Sequence, residues 1–388
     1  MPSASNYTNK LRFAASVKNT KAQLPGNVGN LTQSSIAGCG LDIQYKPVEY
    51  VEVCSLRCKY SNKVVVYPPD TLFIDTVNIT NNDISLDSPY GITTDPQHNI
   101  YVSDVNANKI YKISTSGVIT TFAGTGSADY TGDGSDAIDA TLNGPNDIVY
   151  NLSDDSLYVV DSQNNRVRII TSDIIDLFAG TGISGYNGDN QPATDANIAF
   201  PSGITYDNDG NIYVADVSNH RIRKIDNSGT ITTIAGTFDN SYNGDSGNAL
   251  EINLNSPNGL AFDGVKHLYI TEYSGGRLRK LDLETGIITT ILGPGISTVT
   301  TSNLTGVAID SVGNLYVTDS GYNRVIKIIT LSSETFVCAG DILPGYSGDK
   351  DIASKSRLNS PNGITIDSNG TIYISDTGNK CIRKLYYA

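Results

Sequence analysis

Pro201-Ser-Gly-Ile-Thr-Tyr-Asp-Asn-Asp-Gly-Asn-Ile-Tyr-Val-Ala-Asp-Val-Ser-Asn-His-Arg-Ile-Arg-Lys-Ile225 reads as three short strands in one line of sequence. The run opened by Pro201 ends at Asp207-Asn-Asp-Gly210, where Asp, Asn and Gly supply the local acceptors and backbone freedom of a hairpin turn. Ile212-Tyr-Val-Ala-Asp216 has the β-branched and aromatic composition of a second strand. A third follows the turn at Asn219 and His220. No segment of the chain sustains a 3.6-residue period, so helices are marginal.

The same wording recurs along the chain. Pro-x-Gly-Ile stands at Pro89 to Ile92, at Pro145 to Ile148 with Asp147 for Gly, at Pro257 to Leu260 and at Pro361 to Ile364. A degenerate copy runs from Leu304 to Val307. The second-strand tyrosines are Tyr101, Tyr158, Tyr213, Tyr269, Tyr316 and Tyr373, at intervals of 57, 55, 56, 47 and 57 residues. The third strand, as in Asn165-Arg-Val-Arg-Ile169, begins four or five residues beyond an acid. An alternating fourth stretch ends in Ala/Leu-Gly, for example Ile174 to Gly180. Four-stranded units repeated radially make a β-propeller, and six copies make the fold class an all-β, six-bladed β-propeller. The last copy stops after its third strand, at Arg383-Lys-Leu385, and Thr71-Leu-Phe-Ile-Asp-Thr-Val77 is the candidate for its missing fourth. Pairing the two would close the ring and cover two bare strand edges. The expected domains are an N-terminal arm, 1–70, and a propeller, 71–388.

With six such copies, the region 71–388 resembles the NHL-repeat family, most clearly in the 201–225 copy. The linker Tyr-x-Gly-Asp, at Tyr130 to Asp133, Tyr186 to Asp189, Tyr242 to Asp245 and Tyr346 to Asp349, is similar to the one in bacterial NHL arrays and teneurin-type propellers. It is missing after the fourth repeat, which explains the 47-residue interval. The resemblance implies a propeller used for protein interaction. It also brings RNA-binding relatives with a basic face, and enzymes such as the amidating lyases, whose zinc is bound by histidine in the central channel.

Charge argues against nucleic acid on the propeller. The chain carries −13 overall; eight Lys/Arg against four Asp/Glu leave +4 on 1–70, so the remaining 19 basic and 36 acidic residues leave −17 on 71–388. An acidic surface repels phosphate, whose neutralisation drives such binding. No apolar run reaches the 18 or so residues of a membrane span, and no apolar signal-peptide core is visible, so a cytoplasmic or virion-associated location is expected. Cys39, Cys54 and Cys58 lack a fourth ligand for zinc and read as ordinary thiols. Within the arm, Leu41 to Tyr45, Val51 to Val53 and Val64 to Tyr67 are strand-like and need a sheet to join.

The acid–base pairs at spacing five, Asp104/Lys109, Asp161/Arg166, Asp216/Arg221, Glu272/Arg277 and Asp319/Arg324, read as structural bridges across the turn between second and third strands. In the sixth repeat Asp376 faces Cys381 in the Arg position; Lys380 and Arg383 beside it would lower a thiol pKa, but a replaced salt bridge is the favoured reading over a reactive thiol. The linker aspartates read as turn caps, not calcium ligands, because each loop offers one or two oxygens. His98 and His267 fall at turns between first and second strands and His220 at a turn between second and third, on opposite faces, so they cannot share one metal. No catalytic residue, metal or cofactor is assigned. The candidate binding residues are the second positions of the Pro-x-Gly motifs, taken as loop tips of one face: Tyr90, Asn146, Ser202, Asn258, Thr305 and Asn362. These features point to a non-enzymatic interaction or assembly scaffold that meets a protein partner or another copy of itself through its arm. Two alternatives stand beside it: a structural component of a large assembly such as a giant-virus particle, and a calcium-dependent hydrolase or lyase acting in the channel.

Overall fold

A computed structural model of the chain describes residues 71–80 and 84–387, and the backbone of 51–52 and 63–64. The chain divides into a unit spanning Met1–Pro68 and a compact unit spanning Pro69–Ala388. In the first, Val51–Glu52 pairs antiparallel with Lys63–Val64. The rest of the arm, including its three cysteines and the other strand-like runs, lies outside the described residues.

The second unit is six antiparallel sheets, one per repeat, forming a six-bladed propeller. Blade 3 shows the pattern: Pro201–Tyr206, Ile212–Asp216, Arg221–Ile225 and Thr230–Ala235 pair in order from the inside outwards. The other innermost strands are Pro89–Thr94, Pro145–Asn151, Pro257–Phe262, Leu304–Ile309 and Pro361–Ile366. Each innermost strand neighbours the next, and the sixth neighbours the first, so the ring is closed. Leu72–Thr76 supplies the outer strand of blade 6, with Leu72 opposite Tyr387 and Thr76 opposite Arg383.

Six apolar clusters fill the six spaces between blades. The one between blades 2 and 3 joins Tyr158, Val160 and Val167 to Ile204, Ile212 and Val214, with Ala193, Ala196 and Ile198 of the linker beneath. The closing space joins Ile92, Val102 and Ile113 of blade 1 to Ile382 of blade 6. The second strands of blades 1, 2, 3 and 5 are buried along their whole length, and those of blades 4 and 6 at all but one residue, because both faces pack on neighbouring blades.

The innermost strands approach so closely that a side chain is excluded at one position. A Cβ on Gly203 would stand 2.0 Å from the Asn258 carbonyl oxygen, and one on Gly363 would stand 2.1 Å from that of Tyr90. This is why Pro-x-Gly recurs. Beside these contacts, second-strand hydroxyls clamp adjacent blades: Thr271 Oγ1 accepts from Gly259 N (2.7 Å) and donates to the Thr305 carbonyl (2.5 Å). Thr318 does the same between Gly306 N and the Asn362 carbonyl. Blade 2 has Val160 at this place, and there Asp147 replaces the glycine and accepts from Ile204 N at 3.1 Å.

Candidate functional site

The face on which the innermost strands begin also carries the turns between second and third strands and all the linkers. Its chemistry starts from the acid that ends each second strand. That acid accepts the backbone N–H two residues ahead of its own innermost strand: Asp87 N to Asp104, Asn143 N to Asp161, Ala199 N to Asp216, Asn255 N to Glu272, Ser302 N to Asp319 and Asn359 N to Asp376. The acid recurs in all six repeats because it fixes how every blade enters the ring.

The pairing at spacing five requires correction. Acid and base do stand opposite each other in the ladder, as Asp161 and Arg166 do. An ion pair forms only in blade 5, where Arg324 Nη2 lies 3.1 Å from Asp319. Arg166 instead stacks on the Tyr130 ring and donates to the Thr181 carbonyl at 2.7 Å. Arg221 likewise covers Tyr186 and donates to Thr237, and Arg277 covers Tyr242. Lys109 forms no ion pair with Asp104 among the described residues. The acid's partner is the arginine at spacing seven: Arg168, Arg223, Arg279 and Arg383, each essentially without exposed surface.

These four arginines anchor the linkers. Arg223 reaches Asp216 of its blade at 3.3 Å, and Asp189 of the preceding linker at 2.9 Å. Arg168 joins Asp161 to Asp133, and Arg383 joins Asp376 to Asp349. Arg279 lies 3.5 Å from Glu272 and donates to the Gly244 carbonyl of its linker. Three of the four linker aspartates, Asp133, Asp189 and Asp349, are therefore counter-ions, not turn caps; the neighbouring turn Ala137–Asp139 has no side-chain cap. Blades 1 and 5, which no such linker precedes, carry Tyr111 and Ile326 at the arginine position. Arg-Val-Arg and Arg-Ile-Arg were legible in the sequence, and their coincidence with a preceding linker was the available signal. Burial pushes the acids up, Asp161 to about 6 and Glu272 to about 7, against the arginines and N–H donors that oppose it.

Adjacent blades are latched by the residue that closes the second turn. Asn165 Oδ1 accepts from Phe200 N at 3.0 Å, Asn323 Oδ1 from Ser360 N at 2.8 Å, and His220 Nδ1 from Ser256 N at 3.2 Å. All three hold positive φ, which Asn tolerates well. At the closing interface Lys380 takes this place and pairs with Asp87 at 2.5 Å. Cys381 is not an activated thiol: burial pushes it up to about 12. His98 and His267 are engaged by Asp367 and Asp263 on the opposite side of the ring from His220.

The six candidate tip residues are not loop tips. Each is the second residue of an innermost strand, so they ring the channel. Thr305 is fully buried between blades, bonded to Thr318 and the Pro361 carbonyl. Ser202 is also buried, with its hydroxyl facing that of Tyr90, and Asn146 Oδ1 has no partner among the described residues. Tyr90 of blade 1 points across the channel, and its hydroxyl reaches Asn258 Oδ1 of the opposite blade at 3.5 Å. Burial pushes this phenol up to about 12. Tyr90, Asn258 and Asn362 line a cavity of about 890 Å³ at the channel mouth. The sequence did not show that it would also be walled by Tyr273, Asn303 and Asn359, which come from turns and linkers.

Comparison with known proteins agrees with this geometry. The NHL repeat model matches residues 142–170, 199–225 and 358–385. Protein SUPPRESSOR OF QUENCHING 1, chloroplastic, of Arabidopsis thaliana is 27% identical over 278 residues, covering 63% of this chain and 25% of that protein. Teneurin-1 of Gallus gallus is 28% identical over 274 residues, 59% of this chain and 10% of the teneurin. The chain thus spans a quarter or less of either relative. Among solved structures, a gluconolactonase from Xanthomonas campestris superimposes with a TM-score of 0.55 at 14% identity, over 83% of this chain and 99% of that one, a likeness of fold. Among the described residues no helix is long and apolar enough to cross a membrane. By its repeated residues, its six closed blades and these matches, the chain belongs to the NHL-repeat β-propellers.

Proposed function

We propose that the chain is a non-enzymatic docking and assembly scaffold whose linker face receives a basic protein segment, first of all residues 1–70 of another copy. The observation that supports this reading is the set of large apolar side chains carried outward on anchored linkers. Ile183, Phe238, Tyr242, Ile342, Leu343 and Tyr346 are all exposed there, Ile183 at 65% and Phe238 at 59%. Exposed apolar and aromatic groups clustered on one face mark interaction surfaces. Mounting them on linkers held by buried arginines lowers the entropy lost on docking. Charge favours the occupant, since 71–388 carries −17 and 1–70 carries +4.

Light scattering of the full chain, the fragment 71–388 and the Phe238→Ser/Ile342→Ser/Leu343→Ser variant tests this. The full chain is expected to form oligomers that weaken with salt, and the other two to stay monomeric. Full-length and truncated chains both monomeric at every salt concentration would overturn the reading. The gluconolactonase likeness lends no catalytic residues at 14% identity. Metal analysis of the purified chain checks that side: stoichiometric calcium or zinc would count against a pure scaffold.

A further inference from the structure

We propose that the cavity at the channel mouth is a binding site for a short neutral carbohydrate. The cavity is lined mainly by blades 4 to 6, with Tyr90 of blade 1 and Val217 of blade 3, and beside it the short 294–303 connection stands where the other repeats carry the longer Tyr-x-Gly-Asp linker. In blades 2, 3 and 6 that turn is tied to an overlying linker by an asparagine: Asn164 to the Asp129 carbonyl, Asn219 to Gly185 and Asn379 to Gly345. Blade 5 has Tyr322 at that place, and the connection ahead of it is the short 294–303 segment without the Tyr-x-Gly-Asp linker. Its turn, Ser320–Tyr322, is left as a wall of the cavity. At about 890 Å³ the space has the size of a small-molecule site and accommodates two or three sugar rings.

The lining chooses the ligand. None of the lining residues carries a charge. An ionic ligand would be drawn from water without a counter-ion, which costs several kcal/mol; an anion would also meet the acidic ring. The polar capacity is amide and hydroxyl. Asn258 Nδ2, Asn303 Nδ2, the whole Asn359 side-chain amide and the Tyr273 hydroxyl have no partner among the described residues. A carboxamide presents donors and an acceptor side by side. That matches the paired hydroxyls of a pyranose, each of which both donates and accepts. The Tyr90 ring at the floor and the Tyr273 ring at the rim offer flat apolar faces for the C–H side of a sugar. The site is separate from the outer apolar side chains of the docking face, so the two readings fail independently.

The test is saturation-transfer NMR on the full 388-residue chain with lactose, maltotriose, cellotriose and N,N′-diacetylchitobiose as probes. Controls are 3′-sialyllactose and tetra-alanine amide. At least one neutral sugar is expected to bind, with affinity falling about tenfold or more in Asn258→Leu and in Asn359→Leu, the loss of a well-made hydrogen bond or two. Unchanged melting of both variants shows that the ring is intact, and Tyr273→Ala is a third probe outside its core. The proposal is overturned if no neutral sugar binds, if binding survives all three substitutions, or if the sialylated sugar or the peptide amide binds more tightly than the neutral sugars.

Discussion

Replacing Arg223 by Met should destabilise the propeller far more than replacing Arg221, although both lie on the same strand, two residues apart. Arg223 has no exposed surface and holds Asp216, also fully buried, at 3.3 Å and Asp189 at 2.9 Å. It also donates to the Gly188 carbonyl at 3.0 Å. Removing one partner of a buried pair strands the other charge and costs about 3–5 kcal/mol. For a ring of this size that is a fall in Tm of about 4–8 °C. Arg221 covers the Tyr186 ring with its guanidinium 4.0 Å from the centroid and donates one bond to Thr237, so its loss should cost about 1–2 kcal/mol. The pH dependence has a definite sign. Asp216 is already raised by burial, with Asn219, Ala199 N and Arg223 opposing the rise. Without Arg223 its folded pKa climbs further above the unfolded value, so the native variant holds a proton that the unfolded chain has lost. The penalty is therefore largest above that raised pKa and shrinks as pH falls through it. Calorimetry at pH 8 and pH 5, with hydrogen exchange over 185–196 as a local readout, measures both effects. If Arg223→Met melts within about 2 °C of the parent at pH 8, or Arg221→Met costs as much, the anchoring role is wrong.

Asp147→Asn keeps an acceptor for Ile204 N, gives up the one that Ile148 N uses, and removes a carboxyl that burial raises to about 7. It should stabilise the chain by on the order of 1–2 kcal/mol at pH 8, with the gain shrinking as pH falls through about 7 and vanishing only near the unfolded value of about 4; melting curves from pH 8 to pH 4 decide this. His220 accepts from Ser256 N, and burial lowers its pKa while Asp239 opposes. Protonation destroys the acceptor, so the parent should lose stability relative to His220→Asn as pH falls below about 6.5, with the two equal above it; a constant difference from pH 8 to 5 would contradict the latch. Deleting residues 1–78 removes Leu72–Thr76 and bares the edge of Cys381–Tyr387, so size-exclusion chromatography should show aggregation in place of a stable ring.

The fold was legible because six imperfect copies average out the ambiguity of any one. The copy at 304–307 lost its proline, yet Leu304–Ile309 still forms an innermost strand, since Gly306 keeps the close approach to Asn362. The partners of the acids were less legible. Spacing five names the residue opposite in the ladder, but says nothing of where a long guanidinium ends, and Arg166 ends on Tyr130. The binding residues were the least legible. Thr305 and Asn258 occupy equivalent positions in the repeat, but one is sealed between two blades and the other opens on the channel. That difference depends on the neighbouring blade: Thr318 on one side and the backbone of Pro361 and Asn362 on the other close over Thr305.

The odd blade explains the rule. A fully buried arginine is tolerable only when carboxylates and carbonyls replace its water, and in blades 2, 3, 4 and 6 the preceding linker brings part of that set. Blade 5 is preceded by the short 294–303 connection, which brings no linker aspartate, so an arginine at position 326 would have had Asp319 without that second counter-ion, and the position holds a buried isoleucine instead. With no competitor at spacing seven and no linker tyrosine to cover, Arg324 turns back and pairs with Asp319 at 3.1 Å, while its guanidinium lies 4.8 Å from the Tyr322 ring. The one ion pair at spacing five is thus a consequence of the missing linker. Beside that shortened connection the lining of the channel-mouth cavity is uncharged, with Asn258, Tyr273, Asn303 and Asn359 among its residues.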